Sequence, residues 1–151
     1  MEARTNNQTE EHMQILDFVM ADPEIQKIRQ VLQEQQEAHV YGLYEGQRML
    51  ITAALAEPRE KRNMLVICDT EKRAKELWED FAQILTHYEV LYFPALEMIP
   101  YEVIAQSGEL EQKRLEVLAR LMLEKEKQFA VITTIEAISK KLLPAGDFLQ
   151  G

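Results

Sequence analysis

The chain is poor in the residues that most often carry chemistry. Its 151 residues include one cysteine, Cys68, which excludes a disulfide framework and a cysteine-based zinc site. Cys68 lies in the apolar run MLVIC, so its expected role is a buried, inert thiol rather than a nucleophile. The three histidines, His12, His39 and His87, show no ligand-like spacing, and no metal is assigned to them. Positive charge is also scarce: 17 Lys and Arg stand against 26 Asp and Glu, for a formal net charge of −9 and a pI near 4.9. So acidic a surface repels phosphates, which argues against an autonomous DNA binder. No apolar run approaches membrane-spanning length, and no basic segment followed by an apolar one opens the chain. The expectation is a soluble, cytoplasmic protein.

What is present is a core. Apolar residues make up 46% of the chain, enough for one ordinary domain and not comfortably two. Residues 1–10 are polar and expected to fray. Met13, Ile15, Leu16, Val19 and Met20 recur at helical spacing. Asp22-Pro23 then reads as an N-cap with proline at the first helical position, and Ile25, Ile28, Val31 and Leu32 form the next apolar stripe.

Three apolar runs follow: MLVIC at residues 64–68, EVLYF at 89–93 and FAVIT at 129–133. The first reads as a strand buried on both faces. Between them Asp69-Thr70 caps a helix whose stripe is Ala74, Leu77, Trp78, Phe81 and Leu85, making Trp78 a core anchor. A long helix is expected from Ser107 to Glu126, with Leu110, Leu115, Val117, Leu118, Leu121 and Met122 as its apolar face and its charges in solvent. Thr134 caps a short helix to about Leu142. The stretch 94–106 reads as a loop broken by Pro94, Pro100 and Gly108, rich in large residues that pack on the body or meet a partner.

Residues 38–55, AHVYGLYEGQRMLITAAL, have the layout of a phosphate-binding segment: a short strand, a turn from Gly42 to Gly46, and a helix. With this first strand the pattern alternates strand and helix four times, the signature of an α/β fold. The expected sheet is mostly parallel, with helices on both faces. A working loop, G-x-x-x-x-G-K-[ST], wraps a phosphate in backbone N–H groups, with lysine on the β/γ-phosphates and a hydroxyl on Mg²⁺. In that register from Gly42, Gln47 replaces the second glycine, Arg48 the lysine and Met49 the hydroxyl, while Glu45 puts a carboxylate where the anion would sit. Methionine cannot hold Mg²⁺, and arginine is not a point charge on a short tether. The slot Gly42, Glu45, Gly46, Gln47, Arg48, Met49 is thus a degenerate phosphate loop, although any strand–turn–helix with two glycines has the same outline.

Three ordered blocks resemble the N-terminal, UvrB-like module of the bacterial transcription-repair coupling factors, the Mfd family, and the matching part of the excision-repair protein UvrB. The first is the slot at residues 42–49. The second runs from Phe93 to Glu102, where Leu96, Glu97, Pro100, Tyr101 and Glu102 are similar to a W/L-E-x-x-P-Y-[DE] segment. The third is Arg114-Leu115 with the following VITTIEAI, similar to R-L-x-x-L and V-x-V-x-x-x-x-A/L-[IM].

The resemblance covers about residues 30–151. It implies a P-loop NTPase-like fold of the UvrB domain 1a type, with N-terminal helices over residues 1–37, the α/β subdomain over 38–147 and the start of a further subdomain at 148–151. It also implies a non-catalytic scaffold that helps recruit UvrA to RNA polymerase stalled at damaged DNA. ATP, Mg²⁺ and DNA would be handled by the motor of the parent protein, a translocase, and not by this stretch. No catalytic residue is carried over. Leu96, Glu97, Tyr101 and Glu102 are the candidate contacts with a partner or with neighbouring subdomains. The competing expectation is a UvrB-type nucleotide-dependent repair ATPase domain with an atypical site.

Overall fold

Asp22 and Pro23 start the first full helix as their chemistry dictates. In a computed structural model, which describes residues 15–56, 62–96 and 104–140, Asp22 is extended and its Oδ1 accepts the Glu24 N–H at 2.8 Å. Helix α1, Pro23–Gln35, follows and closes on Gln36, which adopts a left-handed φ of 61° and donates its N–H to the Leu32 carbonyl. Residues 15–20, upstream, are also helical. Helix α2, Glu45–Ala56, comes next. Then follow β1 (Met64–Cys68), α3 (Glu71–Ile84), β2 (Glu89–Phe93), α4 (Ile104–Leu123), β3 (Phe129–Thr134) and α5 (Ile135–Ser139).

The chain divides into two compact units. The first comprises Met1–Glu60 with Phe81–His87, and its buried side chains include Leu16, Ile25, Ala53, Ala54, Phe81 and Leu85. The second comprises Lys61–Asp80 with Tyr88–Gly151 and holds the sheet.

That sheet has three strands, all parallel, in the order β1-β3-β2. Register places Leu91 beside Val131 and Phe93 beside Thr133, and on the far side Leu65 beside Val131 and Ile67 beside Thr133. Alternation along a strand puts Leu65, Ile67, Leu91, Phe93, Phe129 and Val131 on one face and Val90, Tyr92, Ala130 and Ile132 on the other. Helix α4 covers the first face through Val117, Leu118 and Leu121, and Ala137 of α5 joins the same cluster. On the opposite face the Trp78 ring of α3 lies 6.0 Å from that of Tyr92, and its indole N–H donates to the Val90 carbonyl at 3.2 Å. The second unit is therefore α/β, with helices on both faces.

Several expectations are corrected. No strand forms at residues 38–41, so the sheet has three strands and the phosphate-loop layout lacks its first element. The five residues between the left-handed Gln36 and Gly42, with φ of 61° and 77°, pair with no strand among the described residues, and Val40 and Tyr41 are 42% and 84% exposed. Strand β1 is not buried on both faces: Leu65 and Ile67 are 59% and 47% exposed, because α4 shields only the β2–β3 half of its face.

Helix α4 starts at Ile104, ahead of Ser107, so Gly108 lies inside it rather than breaking a loop. Its Leu115, assigned to the apolar face, is 46% exposed. Helix α5 ends at Ser139, since Lys140 is already extended. The expectations for residues 1–14, 97–103 and 141–151, including Glu97, Tyr101 and Glu102, lie outside the described residues.

Candidate functional site at the carboxyl end of the sheet

In parallel sheets, ligands bind beyond the carboxyl ends of the strands. Here two helices from opposite faces each send one charged side chain over that end.

From α3 comes Glu71. Thr70 caps this helix, its hydroxyl oxygen accepting the Arg73 N–H at 3.4 Å and its carbonyl the Ala74 N–H at 3.0 Å. That cap holds Glu71 in the first turn, above the strand ends. Its Oε1 accepts the Ala95 N–H at 3.0 Å and the Thr134 hydroxyl at 2.8 Å, and its Oε2 accepts the Tyr92 hydroxyl. One carboxylate thus ties the end of β2 to the end of β3.

From α4 comes Arg114, only 6% exposed. Its Nη1 donates to the Pro94 carbonyl at 2.6 Å and to the Ala137 carbonyl at 3.1 Å, while its guanidinium carbon sits 4.0 Å from the centre of the Phe93 ring. Burial pulls the guanidinium below its ordinary pKa, and the negative charge of Glu71 works the other way. Arginine keeps its charge under such conditions, so the cation is held in place by carbonyls, an aromatic face and a carboxylate. The remaining groups are also engaged: the Thr133 hydroxyl donates to the Phe93 carbonyl at 2.9 Å, and Lys140 Nζ to the Leu96 carbonyl at 2.7 Å.

Residues of the second and third resembling blocks therefore meet here: Phe93, Pro94, Ala95 and Leu96 with Arg114, Thr133, Thr134 and Ala137. What they build is a polar clasp in which the Glu71 carboxylate and Arg114 Nη1 are both hydrogen-bonded to the strand ends and to α5. A phosphate would meet a carboxylate and cations already committed to carbonyls.

The segment 42–49, expected to be a degenerate phosphate loop, lies in the other unit and has a local role. Tyr44 is the N-cap of α2, its carbonyl taking the Arg48 N–H at 3.0 Å. The Tyr44 N–H donates back to Gln47 Oε1 at 3.0 Å, which is half of a capping box with Gln47 at the third helical position. Arg48 Nε donates to the Leu43 carbonyl at 3.1 Å. Gly42 has a left-handed φ of 77°, while Glu45 and Gly46 are simply the first residues of the helix. Met49 is half-buried. Gln47 Oε1 and Arg48 Nε thus close a helix start. Of the 94–106 candidates, Leu96 is described: it is half-buried, and its carbonyl is taken by Lys140.

Sequence reasoning missed Glu71, which it did not single out, and took Arg114 only as part of a resembling block on a helix whose charges were expected in solvent. A signal for Arg114 existed, since it stands three, four and seven residues before Val117, Leu118 and Leu121, on the buried stripe. No local signal marks Glu71, whose partners lie between 21 and 63 residues away.

Elsewhere, Glu89 pairs with Arg120 and with Lys127 at 3.0 Å, and Lys127 with Glu124 at 2.5 Å, tying the start of β2 to the end of α4. Burial pushes the Cys68 thiol up, and the neighbouring Asp69 adds to the effect, which disfavours the thiolate. Among the described residues no group of three or more His, Cys, Asp or Glu could hold a metal ion, and no helix is long and apolar enough to cross a membrane. In comparisons with known proteins, no protein-family model, curated protein or solved structure matches the chain.

Proposed function

We propose that the chain is a non-catalytic α/β scaffold that works through its surface, a UvrB-like module of the kind found at the N-terminus of transcription-repair coupling factors. On this reading it helps bring UvrA to RNA polymerase stalled at damaged DNA, in the cytoplasm. ATP, Mg²⁺ and DNA belong to the translocase motor of the parent protein. Its kinship to P-loop NTPases would then be one of framework, with the phosphate chemistry lost.

The observation that carries the non-catalytic half is the hydrogen-bonded clasp of Glu71 and Arg114 at the carboxyl end of the sheet. A nucleotide would have to displace the hydrogen bonds that engage Glu71 and Arg114 Nη1 and would meet Glu71 as a like charge. The net charge of −9 supports the same reading, since it disfavours direct binding to nucleic acid. The repair half rests on the three resembling blocks.

Calorimetric titration of the chain with Mg²⁺-ATP and Mg²⁺-ADP is the first test, and the expected result is no heat of binding. Micromolar binding that is lost in Arg48→Ala would overturn the scaffold reading and favour the nucleotide-dependent alternative. A pull-down with purified UvrA tests the partner, with Tyr101→Ala and Glu102→Ala expected to weaken capture. Absence of any capture by the unaltered chain would remove UvrA from the proposal.

A further inference from the structure

Helix α4 is fastened to the sheet by different means at its two ends. As far as Leu121 it is packed: Val117, Leu118 and Leu121 join the apolar cluster, and Arg114 is buried on the Pro94 and Ala137 carbonyls. β3 is fixed from its first residue, Phe129, which is 1% exposed. Between these anchors the sequence is MLEKEKQ. Its two apolar residues hold it weakly, since Met122 is half-buried and Leu123 is 70% exposed.

What holds this stretch is charge. Glu89, the first residue of β2, and Glu124 each touch both Arg120 and Lys127, so two carboxylates and two cations close a ring. Arg120 Nε lies 3.4 Å from Glu124, and Lys127 Nζ lies 3.0 Å from Glu89 and 2.5 Å from Glu124. These side chains are between 26% and 53% exposed, so mobile ions reach them. A backbone bond from the Glu89 N–H to the Gln128 carbonyl, at 2.8 Å, also joins the stretch to β2. Packing beside it is incomplete. A cavity of about 140 Å³ is lined by Asn63, Lys125, Glu126, Lys127 and Gln128. Gln128 Nε2 is buried with no hydrogen-bond partner among the described residues. Few apolar contacts, a void and an unmet donor mark a segment that opens at low cost.

We propose that residues 122–128 form an electrostatic latch, which opens ahead of the rest of the sheet unit when rising ionic strength screens the ring of Glu89, Arg120, Glu124 and Lys127. Opening frees the end of α4 from the start of β2. The Arg114 end stays closed, because buried contacts are screened much less than exposed ones. Salt acts on the whole chain in the opposite sense: at a net charge of −9, screening relieves self-repulsion and favours the compact state. A latch that loosens while the fold tightens is thereby distinguished from general destabilisation. The ring shares no residue with the resembling blocks, so the latch stands or falls apart from the function proposed above.

Native-state amide exchange of the full chain tests it, read by NMR at constant pH from about 0.01 M to about 1 M sodium chloride, where the screening length falls from about 30 Å to about 3 Å. The reporters are the amides of Glu124, Lys127 and Glu89, which donate to the Arg120, Glu124 and Gln128 carbonyls. Their exchange should accelerate by about tenfold with salt, while the buried β3 amides of Ala130 and Ile132 hold or slow. Glu89→Gln removes a carboxylate shared by both cations. In that variant the reporters should exchange fast even at low salt and lose most of their salt dependence, with the β3 amides still protected. Reporters indifferent to salt, an acceleration shared equally by Ala130 and Ile132, or a Glu89→Gln chain with unaltered reporter exchange would each overturn the proposal.

Discussion

Replacing Glu71 with alanine strips three buried donors of one acceptor. The Ala95 N–H, the Thr134 hydroxyl and the Tyr92 hydroxyl all end on its carboxylate, from residues that are 2%, 2% and 6% exposed. A buried donor left without a partner costs about 1–3 kcal/mol. Glu71 itself is half-buried, so water follows the departing side chain and recovers part of that cost. The net loss is about 2–4 kcal/mol, a large share of the roughly 5–15 kcal/mol that holds a domain folded.

With a urea dependence of about 1–3 kcal/mol per molar, the unfolding midpoint followed by far-ultraviolet circular dichroism should fall by about 1–2 M. Glu71→Gln is the control. Its amide oxygen retains the Ala95 and Thr134 bonds, and its amide nitrogen can donate to a rotated Tyr92 hydroxyl, so it should cost about 1 kcal/mol. Both variants lose the favourable placement of a negative charge in the first turn of α3, so their difference isolates the hydrogen bonds. An alanine variant within about 0.5 kcal/mol of the unaltered chain would place Glu71 among ordinary surface residues and refute the clasp. A glutamine variant as damaged as the alanine one would show that charge, not bonding, does the holding.

Two further outcomes follow from local chemistry. Gln47→Gly places a glycine where a phosphate loop would carry one but removes the capping-box acceptor at the start of α2; thermal unfolding should show a loss of about 1 kcal/mol, with no gain of nucleotide affinity by calorimetry. Acid should weaken the fold through Asp69 and Glu124. The Arg73 hydrogen bond holds Asp69 below its usual pKa, and the Lys127 hydrogen bond, opposed by partial desolvation, does the same for Glu124. Because their folded values lie below the unfolded ones, the stability they add is present above the ordinary carboxylate range and is lost as pH falls through the folded values. Urea midpoints measured downward from neutral pH should therefore drop less steeply in Glu124→Gln, and added salt should shrink the difference.

The parts of this fold written in short-range rules were legible. Strands β1 and β2 begin and end where their apolar runs do, and Asp22, Thr70 and Thr134 cap the helices their side chains suit. Reading failed where the deciding partner is remote. The expected strand at residues 38–41 had suitable composition, yet a strand exists only if another offers it hydrogen bonds, and none among the described residues does. The exposure of Leu65 and Ile67 depends on how much of the sheet one helix can cover, which an apolar run does not encode. Glu71 and Arg114 are charged residues on helices, the commonest thing a surface contains; their importance appears only when chain segments far apart in sequence are brought to one sheet edge.

Trp78 is the chain's single tryptophan, and it sits in the unit that holds the sheet, hydrogen-bonded to β2 and close to Tyr92. Its emission therefore reports on one half of the molecule alone, while α1 and α2 in the other half contribute to the helical ellipticity. Unfolding curves recorded by the two signals would coincide if the halves melt as one cooperative body and separate if they do not. A built-in optical marker of this kind lets the chain disclose its own cooperativity without any label being attached.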